Sequence, residues 1–269
     1  MTMYGLRLVL RATGALTFRV LPGSILDIAT YPFVPPSTLS GFLYRLWRYA
    51  TSTTRAEGPD FLETGLMDSP FYYMPRFLVS LGAYPERRES QPHRTRRHGT
   101  KGFASRSRSA LMTAEMEAPQ LHSWEYLLEE RLVGYILCQE KEPLETLAHP
   151  FGSGEETLPF GGKLGKEGYA YLEALSPVLS LRSVREQAEP CTLLTLEEAV
   201  EGAARGGLDF SVYTLYRPAW QGQGNWQDPA PIKGFEQFPM ALSEGGQLET
   251  SWWVAEGFRV PQSLVEVWS

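Results

Sequence analysis

The sequence predicts an α+β fold built on the element order β-α-β-β-α-β, with a basic insertion near its middle and a β-rich part behind it. Three observations carry this. Met3 to Arg11 alternates around Leu6, Leu8 and Leu10, the two-residue period of a half-buried strand. Leu39, Phe42, Leu43, Leu46 and Trp47 then recur at helical spacing. A second strand and helix follow the same pattern at ERLVGYILC, Glu130 to Cys138, and PLETLAH, Pro143 to His149.

After the first strand, Gly14 to Val20 either continues it or folds back on it. Next comes TYPFVPPSTLSGFLYRLW, Thr30 to Trp47. Pro32, Pro35 and Pro36 fix φ near −65° and lack N–H groups, so Tyr31 to Pro36 is excluded from a sheet interior. Ser37 stands in the N-cap position of a helix expected over about Ser37 to Tyr49. The result is a rigid elbow whose helix start presents amides and hydroxyls. It is either a stiff cap on a core helix or an anion site. Thr51 to Asp68 is a polar connection. SPFYYMPRFLVSLGAY, Ser69 to Tyr84, is β-prone, and Pro75 makes it an edge strand or a broken one. The basic segment then interrupts the sheet until about Ala118. A glycine-rich loop spans Gly152 to Gly168, and Tyr169 to Leu175 closes the unit as a strand. This order is the split βαβ arrangement of ferredoxin-like and RNA-recognition (RRM-like) domains. It assigns 1–175 to a ferredoxin-like domain with an insertion over about 85–118, and 176–269 to a β-rich C-terminal part with one helix.

That helix is Thr195 to Ala204, with Thr195 and Glu198 as a capping box and Gly206-Gly207 as its stop. Leu208 to Tyr216, Phe258 to Val260 and Leu264 to Trp268 are expected as strands, with turns around QGQGNWQDPAPIKG. Trp220, Trp226, Trp252 and Trp253 pack into this part's own core or into a neighbour.

Composition narrows the function classes. The chain has 269 residues, 43% hydrophobic and 21% charged, which describes a globular protein. No apolar run approaches the roughly 20 residues that span a bilayer, and no signal-peptide order is visible, so a cytoplasmic protein without membrane contact is expected. Cys138 and Cys191 have no metal spacing. His93, His98, His122 and His149 form no HExxH pattern, and no GxSxG is present, so neither metal nor cofactor is expected.

The net charge of −6 conceals a strong asymmetry. RRESQPHRTRRHGTKGFASRSR, Arg87 to Arg108, holds eight of the 25 lysines and arginines and one acid, Glu89. Such a run repels itself unless something acidic holds it, either a nucleic acid or an acidic protein surface. Dense arginine favours nucleic acid. PFGGKLGKEGYA, Pro159 to Ala170, places Lys163 and Lys166 among glycines that allow close backbone approach. It is not the GxxxxGK[ST] phosphate loop. It suits either a hairpin turn or a path for an RNA backbone. Tyr31, His98 and Lys101 are the residue types of a metal-independent ribonuclease, if they converge.

TYPFVPPSTLSGFL resembles the proline-rich segment and first helix of the fifth family of CRISPR-associated (Cas) proteins, of the RAMP superfamily. Tyr31, Pro35, Pro36, Ser37, Thr38 and Gly41 match that pattern. Gly161 to Gly168, with its lysines, approximates the superfamily's glycine-rich loop. The resemblance covers roughly residues 3 to 175 and leaves the subtype unassigned. It implies a non-catalytic subunit of the type I Cascade effector, capping the 5′ handle of the CRISPR RNA (crRNA) in antiviral defence. The implied partners are crRNA and the Cascade backbone and large subunits, with a contact to target DNA near its flanking motif left open. The basic segment takes the place of the family's thumb insertion. The implied RNA contacts are Tyr31, Ser37, Thr38, Arg45, Arg94, Arg96, Arg97, His98, Lys101, Arg106, Arg108, Gly162, Lys163 and Lys166. In a subtype I-C branch that processes precursor crRNA, a tyrosine stands at the position of Tyr31. Its lysine-histidine pair has no clear counterpart here, where Arg97-His98 precedes Lys101. A processing endoribonuclease and a protein-interaction module docking the basic loop on an acidic partner are the alternatives.

Overall fold

The computed structural model describes residues 2–18, 20, 27–51, 74–86, 92–98, 121–151, 160–165, 168–220, 222 and 232–268. The chain is α+β and dominated by antiparallel strands. Its main sheet has β1 (Met3–Ala12) at the centre. On one side β1 pairs with β6 (Arg131–Cys138), which pairs with β3 (Val79–Pro85) at the edge. On the other side β1 is shared. Leu8 to Ala12 pairs with β8 (Tyr169–Leu175), and Met3 to Gly5 pairs with β9 (Leu179–Ala188). The sheet then runs on through β13 (Leu248–Ala255) to β14 (Phe258–Pro261), while β7 (Gly161–Lys163) pairs with β8. The sheet therefore passes residues 176–178 without a break, and Ser176 is tied to Arg7 through backbone and hydroxyl bonds of 2.8 and 3.0 Å.

Alternation along β1 sorts the two faces. Leu6, Leu8 and Leu10 are fully buried. They meet α1 (Pro36–Thr51) and α2 (Lys141–Ala148), whose Leu39, Leu43, Leu46, Leu144 and Leu147 are buried in the same core. Gly5 lies on the opposite face under Phe258, and Tyr135 meets the same ring edge-on at 5.1 Å. That face is covered in part by a second sheet of β10 (Leu193–Thr195), β12 (Ile232–Gly246) and β11 (Leu208–Trp220), in that order. The Tyr84 hydroxyl joins the layers, donating to Leu81 O and accepting from Leu193 N. Between β10 and β11 lies α3 (Leu196–Ala204). Its Thr195 cap accepts from Glu198 N at 3.3 Å, and the turn after it uses Gly206 at φ +74°.

Several expectations are corrected. Pro35, not Ser37, caps α1: its carbonyl accepts from Leu39 N, and Pro36 supplies the preset φ of the first helical position. Residues 14–18, the described part of that stretch next to β1, neither prolong it nor pair back onto it; Leu16 bridges Leu127, and Phe18 O accepts from Tyr31 N. The basic segment does not interrupt all pairing. Its centre is β4 (His93–His98), which pairs with β5 (Leu121–Tyr126), while β2 (Asp27–Ile28) lies parallel on β5's other side. Trp124 and Tyr126 of β5 form a small core with Ile28 that anchors this sheet. The end of the glycine-rich stretch is a hairpin strand, β7, rather than loop throughout. Leu264 to Trp268 is not a strand but part of α4 (Gln262–Trp268), where Leu264, Val265 and Trp268 share the buried side. Among the described residues no helix is long and apolar enough to cross a membrane.

Candidate nucleic-acid interface

The elbow is held from three directions. Val34 pairs with Ala83 of β3 through two backbone bonds of 2.8 and 3.1 Å. This close approach requires Gly82, which has φ +86° and whose absent Cβ would fall 2.6 Å from Val34 O. Thr30 is fixed by its hydroxyl, which accepts from Phe18 N at 2.7 Å. Tyr31 is 4% exposed, its ring set between Phe33 and Tyr213, and its hydroxyl donates to Thr214 O of β11 at 2.5 Å. It is a buried strut with one edge on a neighbouring cleft.

Thr38, Gly41, Phe42 and Arg45 follow one another at i, i+3, i+4 and i+7, a single face of α1. That face lines the cleft, whose volume is about 400 Å³. Pro35, Ser37 and Tyr31 close its elbow end, Lys163 and Gly165 come from the β7–β8 turn, and Leu215 and Tyr216 come from β11. Gly165 has φ +79° and packs on Thr17 and Phe18, where a Cβ would be 2.6 Å from the Phe18 ring. Gly162 lies against Arg45, 3.0 Å from its would-be Cβ to Nη1. Gln237 donates to the Tyr216 hydroxyl at 2.9 Å, which fixes that ring at the rim.

The electrostatics of the cleft favour an anion. Arg45 and Lys163 line it, and among the described residues no carboxylate does. The first turn of α1 holds no acid, and the positive end of this sixteen-residue helix borders the cleft at Pro35, Ser37 and Thr38. Hydroxyls of Ser37 and Thr38 add donors, while Phe18, Phe42 and Tyr216 add apolar and aromatic wall. Guanidinium, ammonium, helix amides and ring edges in one cleft can hold a phosphate with its attached base.

The basic arm forms a second region. Arg94 donates from Nε and Nη2 to one oxygen of Glu125, at 3.1 and 2.7 Å, and the other oxygen accepts from Thr30 N at 3.2 Å. One carboxylate, 16% exposed, thus ties the arm to the elbow beside Tyr31. The backbones of Arg96, Arg97 and His98 lie on β4 opposite Ser123, His122 and Leu121. Lys101, Arg106, Arg108 and Lys166 lie outside the described residues.

The chain matches no family model, and no curated protein resembles it in sequence. In three dimensions it is similar to a chain in the cryo-EM structure of the type III-B Cmr-beta bound to cognate target RNA and AMPPnP. Identity there is 12% and the TM-score 0.43, over 90% of this chain and 86% of that one. It is also similar to a CRISPR protein from Archaeoglobus fulgidus, at 10% identity and TM-score 0.40, over 96% and 97% of the two chains. A third likeness, to a chain of Cmr-beta bound to cognate target RNA, has 11% identity and TM-score 0.34, over 66% and 61%.

Of the residues expected at the site, the structure gathers Tyr31, Ser37, Thr38, Arg45, Gly162 and Lys163 around the cleft. It sets Arg94 apart on the arm. Sequence reasoning missed Phe18, Gly165, Leu215 and Tyr216 as cleft residues. Gly165 was visible within the glycine run. Nothing local marks Tyr216, which meets the elbow only through the fold.

Proposed function

We propose that this chain is an RNA-binding subunit of a CRISPR effector complex. The observation that carries this is the convergence of the elbow, the Thr38–Arg45 face and the β7–β8 turn on one cleft that Arg45 and Lys163 line. The strand order β8–β1–β6–β3, with a helix after β1 and another after β6, supports the ferredoxin-like unit expected from the sequence. The finer reading is a non-catalytic cap on the 5′ handle of crRNA in type I Cascade, with β4 at the root of a thumb and the backbone and large subunits as neighbours. It rests on the elbow's resemblance to the fifth Cas family. Binding without cleavage fits a Tyr31 hydroxyl already donated to Thr214 O.

The test uses the chain's own repeat RNA in EDTA, with binding measured at two salt concentrations and the RNA resolved on a denaturing gel. Intact, bound RNA is expected. Arg45→Ala and Lys163→Ala together should weaken binding and flatten its salt dependence, by about 0.7 in the log–log slope for each single-strand phosphate no longer neutralised. An unchanged slope would remove the cleft from the interface. A discrete cut would replace the cap by a processing nuclease.

A further inference from the structure

Tyr169 and Tyr171 of β8 are 60% and 37% exposed, although they stand inside the main sheet. The core does not use them: the alternate residues Ala170 and Leu172 are the buried ones. Cross-strand register places Arg11 of β1 opposite Tyr171 on one flank and Gly161 of β7 on the other. Gly161 has no side chain to lie over the Tyr171 ring from that flank. Lys163 pairs with Tyr169. The two rings thus lie on one face of one strand, about 6.8 Å apart by strand rise. That spacing leaves room for one planar group on each ring.

The charges around them are largely balanced. Arg11 is bound by Glu130, and Arg131, the next residue in the same row, is bound by Glu86 and Glu173. An electrostatic phosphate site is therefore not what this surface offers. It offers two uncovered rings on a rigid strand, next to a lysine that also lines the cleft. Flat, aromatic, rigid and adjacent to a cationic channel is the arrangement on which unpaired bases stack.

We propose that the exposed face of β8 is a stacking platform for single-stranded nucleic acid, with one base on Tyr171 and the next on Tyr169 as the strand leaves the cleft past Lys163. This rests on the RNA-binding reading of the cleft and extends it to a second contact of different physics. Stacking contributes without releasing counterions, so the platform adds affinity but no salt dependence.

The experiment measures binding of a short and a long labelled oligouridine to the full chain, wild type and variants, across a salt series. The short probe fills the cleft alone; the long one also reaches β8. Tyr169→Ala with Tyr171→Ala is expected to weaken the long probe by about 5- to 150-fold per unstacked base, to leave the short probe unchanged, and to keep the salt slope. Tyr169→Phe with Tyr171→Phe should keep wild-type affinity, since the ring is what acts. Both pairs of changes are at exposed side chains, and an unaltered urea midpoint checks the fold. If wild type binds both probes and the alanine variant holds the long one equally well, the platform is refuted while the cleft stands. If wild type binds neither, the RNA reading falls and takes the platform with it. If the alanine variant loses a co-purifying protein and not RNA, the surface is a protein interface and the proposal is wrong.

Discussion

Tyr31→Phe removes one oxygen from the joint between the elbow and β11. The ring itself stays, held by Phe33 at 5.5 Å and Tyr213 at 6.0 Å. What disappears is the bond to Thr214 O. Thr214 stands opposite Pro239 on β12, and proline has no N–H to offer that carbonyl in its place. The substitution therefore strands an acceptor in a part-buried position, at a cost of about 1–3 kcal/mol. Against a typical total of about 5–15 kcal/mol this is readily measured. Equilibrium urea unfolding should show a lower midpoint at unchanged m-value. Repeat RNA should be bound and left intact, as by wild type. The reasoning is refuted if the midpoint does not move while RNA binding or cleavage is lost, because the hydroxyl would then act on RNA and not on Thr214.

Two further outcomes probe the same frame. Gly82→Ala should cost about 1–3 kcal/mol in backbone strain plus the collision with Val34 O, whereas Gly206→Ala, also at positive φ (+74°) but with open space around it, should cost only the strain; equal losses in urea would deny the close elbow contact. Burial pushes the Tyr84 and Tyr135 phenols well above the ordinary value near 10, so the fold holds them neutral. Their contribution is complete below about pH 10 and is lost as pH rises from there toward the folded-state values, so the urea midpoint should fall above about pH 10, and less steeply in Tyr135→Phe. A slope from these two groups beginning near neutrality would contradict their burial.

Much of the N-terminal fold was legible because its elements are strongly periodic and one-sided. Leu6, Leu8 and Leu10, and then Leu39 to Trp47, each bury one face against the other. The later strands lack that signature. β9 carries Arg182, Arg185 and Glu186 and is half-exposed on both faces. β12 begins inside the stretch expected as turns, at Gly234, and carries Pro239, Gly245 and Gly246, residue types that weaken strands, yet it stands as a strand because β11 pairs along its length. α4 is seven residues long, too short for periods of 2 and 3.6 to be told apart. Half of the cleft was readable along one helix, in Thr38, Gly41 and Arg45. The other half depends on β11, whose Leu215 and Tyr216 reach the elbow only after the second sheet has closed.

Packing over the main sheet also decides which part of its outer face is open. In an open four-stranded unit the face opposite the helices is free for bases. Here the middle of that face is taken. Tyr135 is 6% exposed beneath Phe258, Arg7 is half-buried and tied to Ser176, and Tyr84 bonds Leu193 of the covering layer. Cover stops toward the end of β1, where Arg11, Arg131 and Tyr171 lie in one row. The second sheet, which covers part of this face through Leu193, also sends Tyr216 to the rim of the cleft. The RNA binding proposed above would therefore fall at the margin of the sheet and not at its centre, along a line from the start of α1, past Lys163, to the exposed rings of β8.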